Sequence, residues 1–205
     1  KQKLEEEEEE QRIQEKLREA KTEMGLGSMN ITTKNYTEAV ENYTTAYEFY
    51  QDLLYEGPED EKAIKKYNKL SADCQGKLGE VYLILGDFSA AKQLFRKAQD
   101  MYDMYENQFK LELLLMRKLI GDVHFMAGED EEAKSIYIEV VHVLEKDEYL
   151  GWSSKEIGDI YKYLAEINLA KLDAELGLDE EEWNETLEYY RNAVSSKQNA
   201  EDIGP

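Results

Sequence analysis

Between Lys77 and Met101 the apolar positions form two runs of helical spacing, separated by Gly86-Asp87. Leu78, Gly79 and Tyr82 share one stripe of the first run. Phe88, Ala91, Phe95 and Ala98 follow in the second at steps of three, four and three. Such steps place side chains on a single face of an α-helix. The stretch predicts a helical hairpin in which small Gly and Ala let two backbones approach and aromatic rings fill the space beside them.

The same pattern returns 42 positions later, with Gly79 mapping to Gly121, Gly86 to Gly128, Ala91 to Ala133 and Phe95 to Tyr137. The second-helix signature also occurs as Tyr36, Ala39, Tyr43, Ala46 and as Trp183, Thr186, Tyr190, Ala193. Asp130 replaces the first ring and Val140 the last small residue in the third copy. A six-residue phrase marks three of the first helices: KLGEVY at 77–82, LIGDVH at 119–124 and EIGDIY at 156–161. Glycine in a helix interior costs about 1 kcal/mol against alanine, so Gly79, Gly121 and Gly158 are expected where helices pack closely. The spacing predicts first helices at about 5–30, 60–85, 108–127 and 153–176, with partners at about 36–55, 88–106, 130–146 and 180–198. Gly57-Pro58, Gly86-Asp87, Gly128-Glu129 and Gly177 punctuate the connections. The segment GLGSMNITTKN at 25–35 reads as a poor helix interior, and an insertion lengthens the first helix of the fourth copy.

This pattern resembles the tetratricopeptide repeat: Leu-Gly, Tyr three on, Gly, an aromatic, Ala, an aromatic, Ala. The copy at 72–105 matches nearly every position, with Gln75 where the family has Trp and Asp103 where it has Pro. Copy three departs at His124 and Asp130; in copy one Leu26-Gly27 holds the motif position. The family's usual period is 34 residues; the longer one here resembles that of kinesin light chains and related adaptors. The resemblance covers roughly residues 11–198 and implies an all-α fold, a right-handed α-solenoid of about four antiparallel hairpins preceded by a charged N-terminal helix. The expected division is a helical extension at 1–20, hairpins at about 21–55, 60–106, 108–146 and 153–198, and a tail at 199–205.

In the family, the residue after the small Gly lines the concave groove, with its neighbours three and four positions away. Carried over, copy two contributes Lys77, Glu80, Leu83 and Ile84, and copy three Lys118, Leu119, Asp122, Phe125 and Met126. Copy four contributes Trp152, Lys155, Asp159, Lys162 and Tyr163. Glu80, Asp122 and Asp159 then form a carboxylate ladder among apolar and aromatic side chains. Lys77, Lys118 and Lys155 stand three or four residues before these acids, so each acid is equally placed to pair within its own helix. Chaperone-binding members clamp an acidic C-terminal tail with Lys and Asn; here those positions hold Met24 and Ser28, then Gly76 and Glu80. A receptor for Hsp70 or Hsp90 tails is therefore not expected.

The charge refines the partner. The chain of 205 residues has 46 acids against 25 bases, a formal net charge of −21. That field repels phosphate backbones and anionic lipid, which argues against nucleic-acid and membrane partners and favours a protein partner with a basic and apolar segment. The lone Cys74 permits no intramolecular disulfide. KQKLEEEEEE lacks the apolar core of a signal peptide, and an excised, intracellular, cytoplasmic piece is the expectation. The Asn-x-Ser/Thr matches at Asn30, Asn35, Asn42 and Asn184 then carry no sugar.

Little in the sequence points to catalysis. His124 occupies a Tyr position and is expected in the core, 18 residues from His142. Cys74 lacks a basic neighbour and reads as a packing residue. GEDEEAKS at 128–135 lacks a calcium loop's alternating ligands, and there is no phosphate-cradling glycine loop. No metal or other cofactor is expected. Ile13, Leu17, Ala20 and Met24 make about one and a half heptads, which suits a solvated helix or, alternatively, a coiled-coil partner. The expectation is a non-enzymatic adaptor. The alternatives are an architectural subunit of a cytoskeletal or ciliary assembly, docked by its convex face or N-terminal helix, and an acidic chaperone for basic proteins.

Overall fold

The computed structural model describes residues 2–58, 60–105, 108–146, 154–173 and 178–202. Among these residues there are eight α-helices and no strand: α1 (Gln2–Thr32), α2 (Tyr36–Tyr55), α3 (Glu61–Ile84), α4 (Phe88–Asp103), α5 (Lys110–Met126), α6 (Asp130–Lys146), α7 (Ser154–Asp173) and α8 (Glu180–Asp202). The fold is all-α, built of helical hairpins, and the helices start and stop within a few residues of the expected positions. The chain forms two compact units, Lys1–Met116 and Arg117–Pro205, so α5 contributes its first turns to one and the remainder to the other.

In the first unit α1 pairs with α2, α3 with α4, and α2 also packs on α3. One core cluster joins Ala20, Ala46, Tyr50, Leu53, Tyr67 and Cys74; a second joins Ala39, Tyr43, Leu78 and Val81. The antiparallel stacking of α2 on α3 follows, since the start of α2 meets the end of α3 and the reverse. Ile13, Leu17 and Met24 pack on the first cluster. The part of α1 that carries them is thus a wall of the first hairpin rather than a solvated extension.

The small residues sit where the sequence placed them. A Cβ built on Gly79 falls 2.5 Å from Phe95, one on Gly27 2.7 Å from Tyr43, and one on Gly121 2.8 Å from Tyr137. At those distances a methyl group and a buried ring cannot coexist without a shift, so close packing offsets the helix penalty of glycine. Ala39, Ala46, Ala91, Ala98 and Ala133 are fully buried beside the rings, as the pattern requires.

The helix ends repeat one device. After α3, Gly86 N–H donates to Leu83 O and Asp87 N–H to Tyr82 O, with Gly86 at φ +78°. After α5, Gly128 and Glu129 donate to Phe125 O and His124 O in the same way. These bonds satisfy the last carbonyls through one left-handed residue. The Asp87 side chain then caps α4 by accepting from Ala90 N–H. After α1 the same pair of bonds runs from Lys34 to Ile31 O and from Asn35 to Asn30 O, but the left-handed residue is Lys34, at φ 63°.

GLGSMNITTKN differs from expectation, because α1 continues through it to Thr32. Tertiary and local bonds override its weak propensity. Gly27 meets Tyr43, the Ser28, Thr32 and Thr33 hydroxyls donate to carbonyls one turn back, and Asn30 and Glu23 grip Asn42 of α2 from either side.

The second unit pairs α7 with α8, and α6 also meets α7. Thr186 and Ala193 are buried as the fourth copy predicts, but Trp183 and Tyr190 are exposed, so the two rings of that copy face outward. Gly177 and the end of the fourth first helix lie outside the described residues.

Candidate functional site

The residue after each packing glycine has a definite partner. In α3, Lys77 Nζ donates to both carboxylate oxygens of Glu80, at 2.9 and 3.0 Å, and Ile84 is exposed one turn on. In α5, Lys118 Nζ reaches Asp122 Oδ2 at 2.6 Å, and the Tyr137 hydroxyl donates to Asp122 Oδ1 at 2.7 Å. Asp122 is only 9% exposed. Its carboxylate ties α5 to α6 and is not an open rung of a ladder. Burial, and then the Asp122 charge, push the Tyr137 phenol well above its ordinary range.

A rule links these pairs. Ser28, after Gly27, is hydrogen-bonded to the hydroxyl of Tyr43, and Asp122, after Gly121, to that of Tyr137. Where the facing ring is Phe95 and has no hydroxyl, Glu80 turns to its own Lys77. The acid or hydroxyl after the glycine is therefore a structural partner for the second helix where that helix presents a tyrosine, as at Ser28 and Asp122.

The aromatic surface of the second unit lies beside Asp122. The Tyr163 ring on α7 sits 4.9 Å from Phe125 and 5.8 Å from Tyr137, nearly parallel to the latter. Lys118 and Lys162 bring their ammonium groups to 6.0 and 5.8 Å of the same ring. Burial, then the charge of Asp122, raises the Tyr163 phenol pKa; Asp159 adds to this and the two lysines oppose it. Phe125 and Tyr163 are half-buried, and Met126 next to them is exposed. The structure thus brings Lys118, Asp122, Phe125 and Tyr163 together, with Asp159 within electrostatic range. Lys155 lies on α7, with its side chain outside the described residues, as is the whole of Trp152.

One network went unseen in the sequence. Asn168, fully buried on α7, donates to Glu185 and Thr186 of α8 and accepts from Lys134 of α6; Lys134 also reaches Glu185 at 2.8 Å. Tyr189 donates to the other oxygen of Glu185. Burial raises the Glu185 pKa, but the bonds from Lys134, Tyr189 and Asn168 outweigh it and hold the carboxyl below its usual range. The available signal was Asn168 itself, an amide on the apolar stripe of Leu164 and Ile167.

The remaining candidates are structural. His124 is buried with Nδ1 2.5 Å from Glu129 at the start of α6. Cys74 is buried against the Met24 sulfur, and burial pushes its thiol up to about 12, which makes it a poor nucleophile. Among the described residues, no group of three or more His, Cys, Asp and Glu could hold a metal ion, and no helix is long and apolar enough to cross a membrane.

A tetratricopeptide repeat family model matches residues 72–103, the stretch that spans the second half of α3 and all of α4. The chain carries a tetratricopeptide repeat. No curated protein matches the chain. Among solved structures, the chain is similar to the Rap conjugation gene regulator of plasmid pLS20 in complex with the Phr* peptide, with TM-score 0.62 and 22% identity. The match covers 84% of this chain and 41% of that one, so this chain spans less than half the regulator's length. It is also similar to a Podosopora anserina putative kinesin light chain with nearly identical tetratricopeptide-like repeats (TM-score 0.46, 14% identity, 87% and 96% covered). A third is BtubC of P. vanneervenii (TM-score 0.46, 9% identity, 95% and 90% covered). The likeness to the Rap regulator establishes the fold.

Proposed function

We propose that this protein is a non-catalytic scaffold that holds a segment of a partner protein on its second unit, anchored at Phe125, Met126 and Tyr163. The observation that carries this reading is the half-buried Tyr163 ring, fixed between Phe125 and Tyr137 beside an exposed methionine. A preset aromatic surface offers a large contact area with little side-chain entropy left to lose. The Rap regulator, similar in fold, is held with a peptide.

The net charge of −21 draws a segment that carries Lys or Arg around an apolar anchor. Beside Tyr163 the negative field comes from Asp122 and Asp159, and the lysine or arginine of the segment is drawn to it. A single buried, free cysteine suits work inside the cell, in the cytoplasm.

Selection of peptides from a displayed library, followed by titration of labelled winners, tests the reading. Tyr163→Ala is expected to weaken binding tenfold or more, and His142→Ala on exposed α6 surface to leave it unchanged. Winners that bind Tyr163→Ala as tightly as the native protein would place the site elsewhere. Winners that share only positive charge and are released by moderate salt would favour an acidic chaperone for basic proteins.

A further inference from the structure

Within the second unit, α6, α7 and α8 meet in successive layers, and the chain fills one of these layers with a lysine of its own. Lys134 of α6 lies there with its side chain only 17% exposed, its ammonium bonded to Asn168 of α7 and Glu185 of α8. Steps of four and three along the same face of α6 lead from Lys134 to Ile138 and Val141. The matching steps lead from Asn168 to Leu164 and Tyr161 on α7, and from Glu185 to Glu188 and Tyr189 on α8. In these next layers no lysine of α6 reaches across, and the side chains line a cleft of about 360 Å³ that begins at Glu185. That volume lies within the range of small-ligand and side-chain sites. Tyr161 and Tyr163 are two residues apart and therefore on nearly opposite sides of α7. The cleft is thus separate from the Tyr163 surface.

The floor of the cleft is apolar: Val141, Tyr161 and Leu164 are buried, and Ile138 forms one wall. The other wall is the Tyr189 ring, 6.1 Å from the Tyr161 ring with the two planes inclined by 33°. The Tyr189 hydroxyl is tied to Glu185, so that ring is held in place. Glu188 stands exposed at the rim. Burial and the bond to Glu185 raise the Tyr189 phenol pKa, and the charge of Glu188 adds to the shift, so that charge is felt inside the cleft. We infer that the cleft receives the side chain of a lysine from a partner protein. Its methylenes lie on Val141, Tyr161 and Leu164, and its ammonium sits between the Tyr189 ring and the Glu188 carboxylate. Charge names the occupant: an aromatic face beside a carboxylate favours a cation, and the molecule around it carries −21. The neighbouring layer names the kind of cation, since Lys134 makes the same use of the same three helices one turn away. An ammonium is a compact charge on a thin stem, whereas a planar guanidinium needs a wider slot.

Titration of the isotope-labelled 205-residue chain, followed by its backbone amide resonances, is the test. The probes are the N-acetyl methylamides of lysine, of norleucine, which keeps the alkyl stem without the charge, and of arginine. Amides around Tyr161, Glu188 and Tyr189 are expected to shift and saturate with the lysine probe over the millimolar range. The norleucine probe is expected to leave them unsaturated over that range, and the arginine probe to bind more weakly than lysine. Glu188→Gln is exposed and outside the bonds of Lys134, and an unchanged spectrum elsewhere checks that the variant folds. It is expected to weaken the lysine probe at least threefold. Lysine binding that leaves the cleft amides unmoved, or that Glu188→Gln does not weaken, overturns the inference. So does a norleucine or arginine probe that binds as tightly as lysine. Shifts gathered around Tyr163 instead would also overturn it, while leaving the aromatic surface there as the binding site.

Discussion

Lys34 holds a conformation that its neighbours in the repeat give to glycine. It closes α1 with φ 63° and the same two backbone bonds that Gly86 and Gly128 make after α3 and α5. A side chain with a Cβ is disfavoured in the left-handed region by about 1–2 kcal/mol, while glycine loses more backbone freedom on folding. Lys34→Gly should therefore stabilise the protein by about 1 kcal/mol, read as a higher urea midpoint at unchanged slope. A lower midpoint would show that the lysine side chain contributes more at this turn than the strained backbone costs. This position also marks where sequence reading falls short. The glycines of the other turns announce helix ends, whereas Lys34 sits in a stretch that reads as a broken helix and is held helical by Tyr43 and Asn42 of the next element.

At the scale of elements, the hairpins were legible because each needs a small residue and a ring at fixed spacing, and both are written in the sequence. The use of the acid after the glycine was not. Spacing alone could not distinguish a groove-lining carboxylate from one that reaches the second helix, because that depends on a hydroxyl fifteen residues further along. Tyr137 supplies it for Asp122, and Phe95 cannot for Glu80. The fourth hairpin was misread for a related reason: its signature matched, but Trp183 and Tyr190 point outward. The α5–α6 tie can be measured. Tyr137→Phe leaves the buried Asp122 with Lys118 alone and should cost about 1–3 kcal/mol, the range for a buried acceptor that loses a partner. The sign of its pH dependence also follows. The folded-state phenol is raised above its unfolded value of about 10, so its contribution is complete below that pH and declines as pH rises beyond it. Urea midpoints should show the gap between native and Tyr137→Phe proteins narrowing above about pH 10. A constant gap would mean the hydroxyl acts by packing and not by its proton.

For the molecule as a whole, the charge sets terms that no single contact does. Forty-six acids against twenty-five bases leave −21 on a chain of 205 residues, and folding concentrates that charge. Close pairs such as Lys118–Asp122 and Lys134–Glu185 answer part of this charge, but 25 bases cannot answer 46 acids. The remainder repel one another over distances comparable to the Debye length, about 30 Å at 0.01 M salt and about 8 Å at 0.15 M. Self-repulsion should therefore destabilise the fold at low salt and fade as salt is added. Thermal unfolding over a salt series measures this effect. The midpoint is expected to rise steeply over the first additions of sodium chloride, level off near physiological strength, and follow the same curve with potassium chloride. A midpoint indifferent to salt would mean that local pairs already neutralise the field, and the charge-driven preference for a basic partner would lose its physical basis.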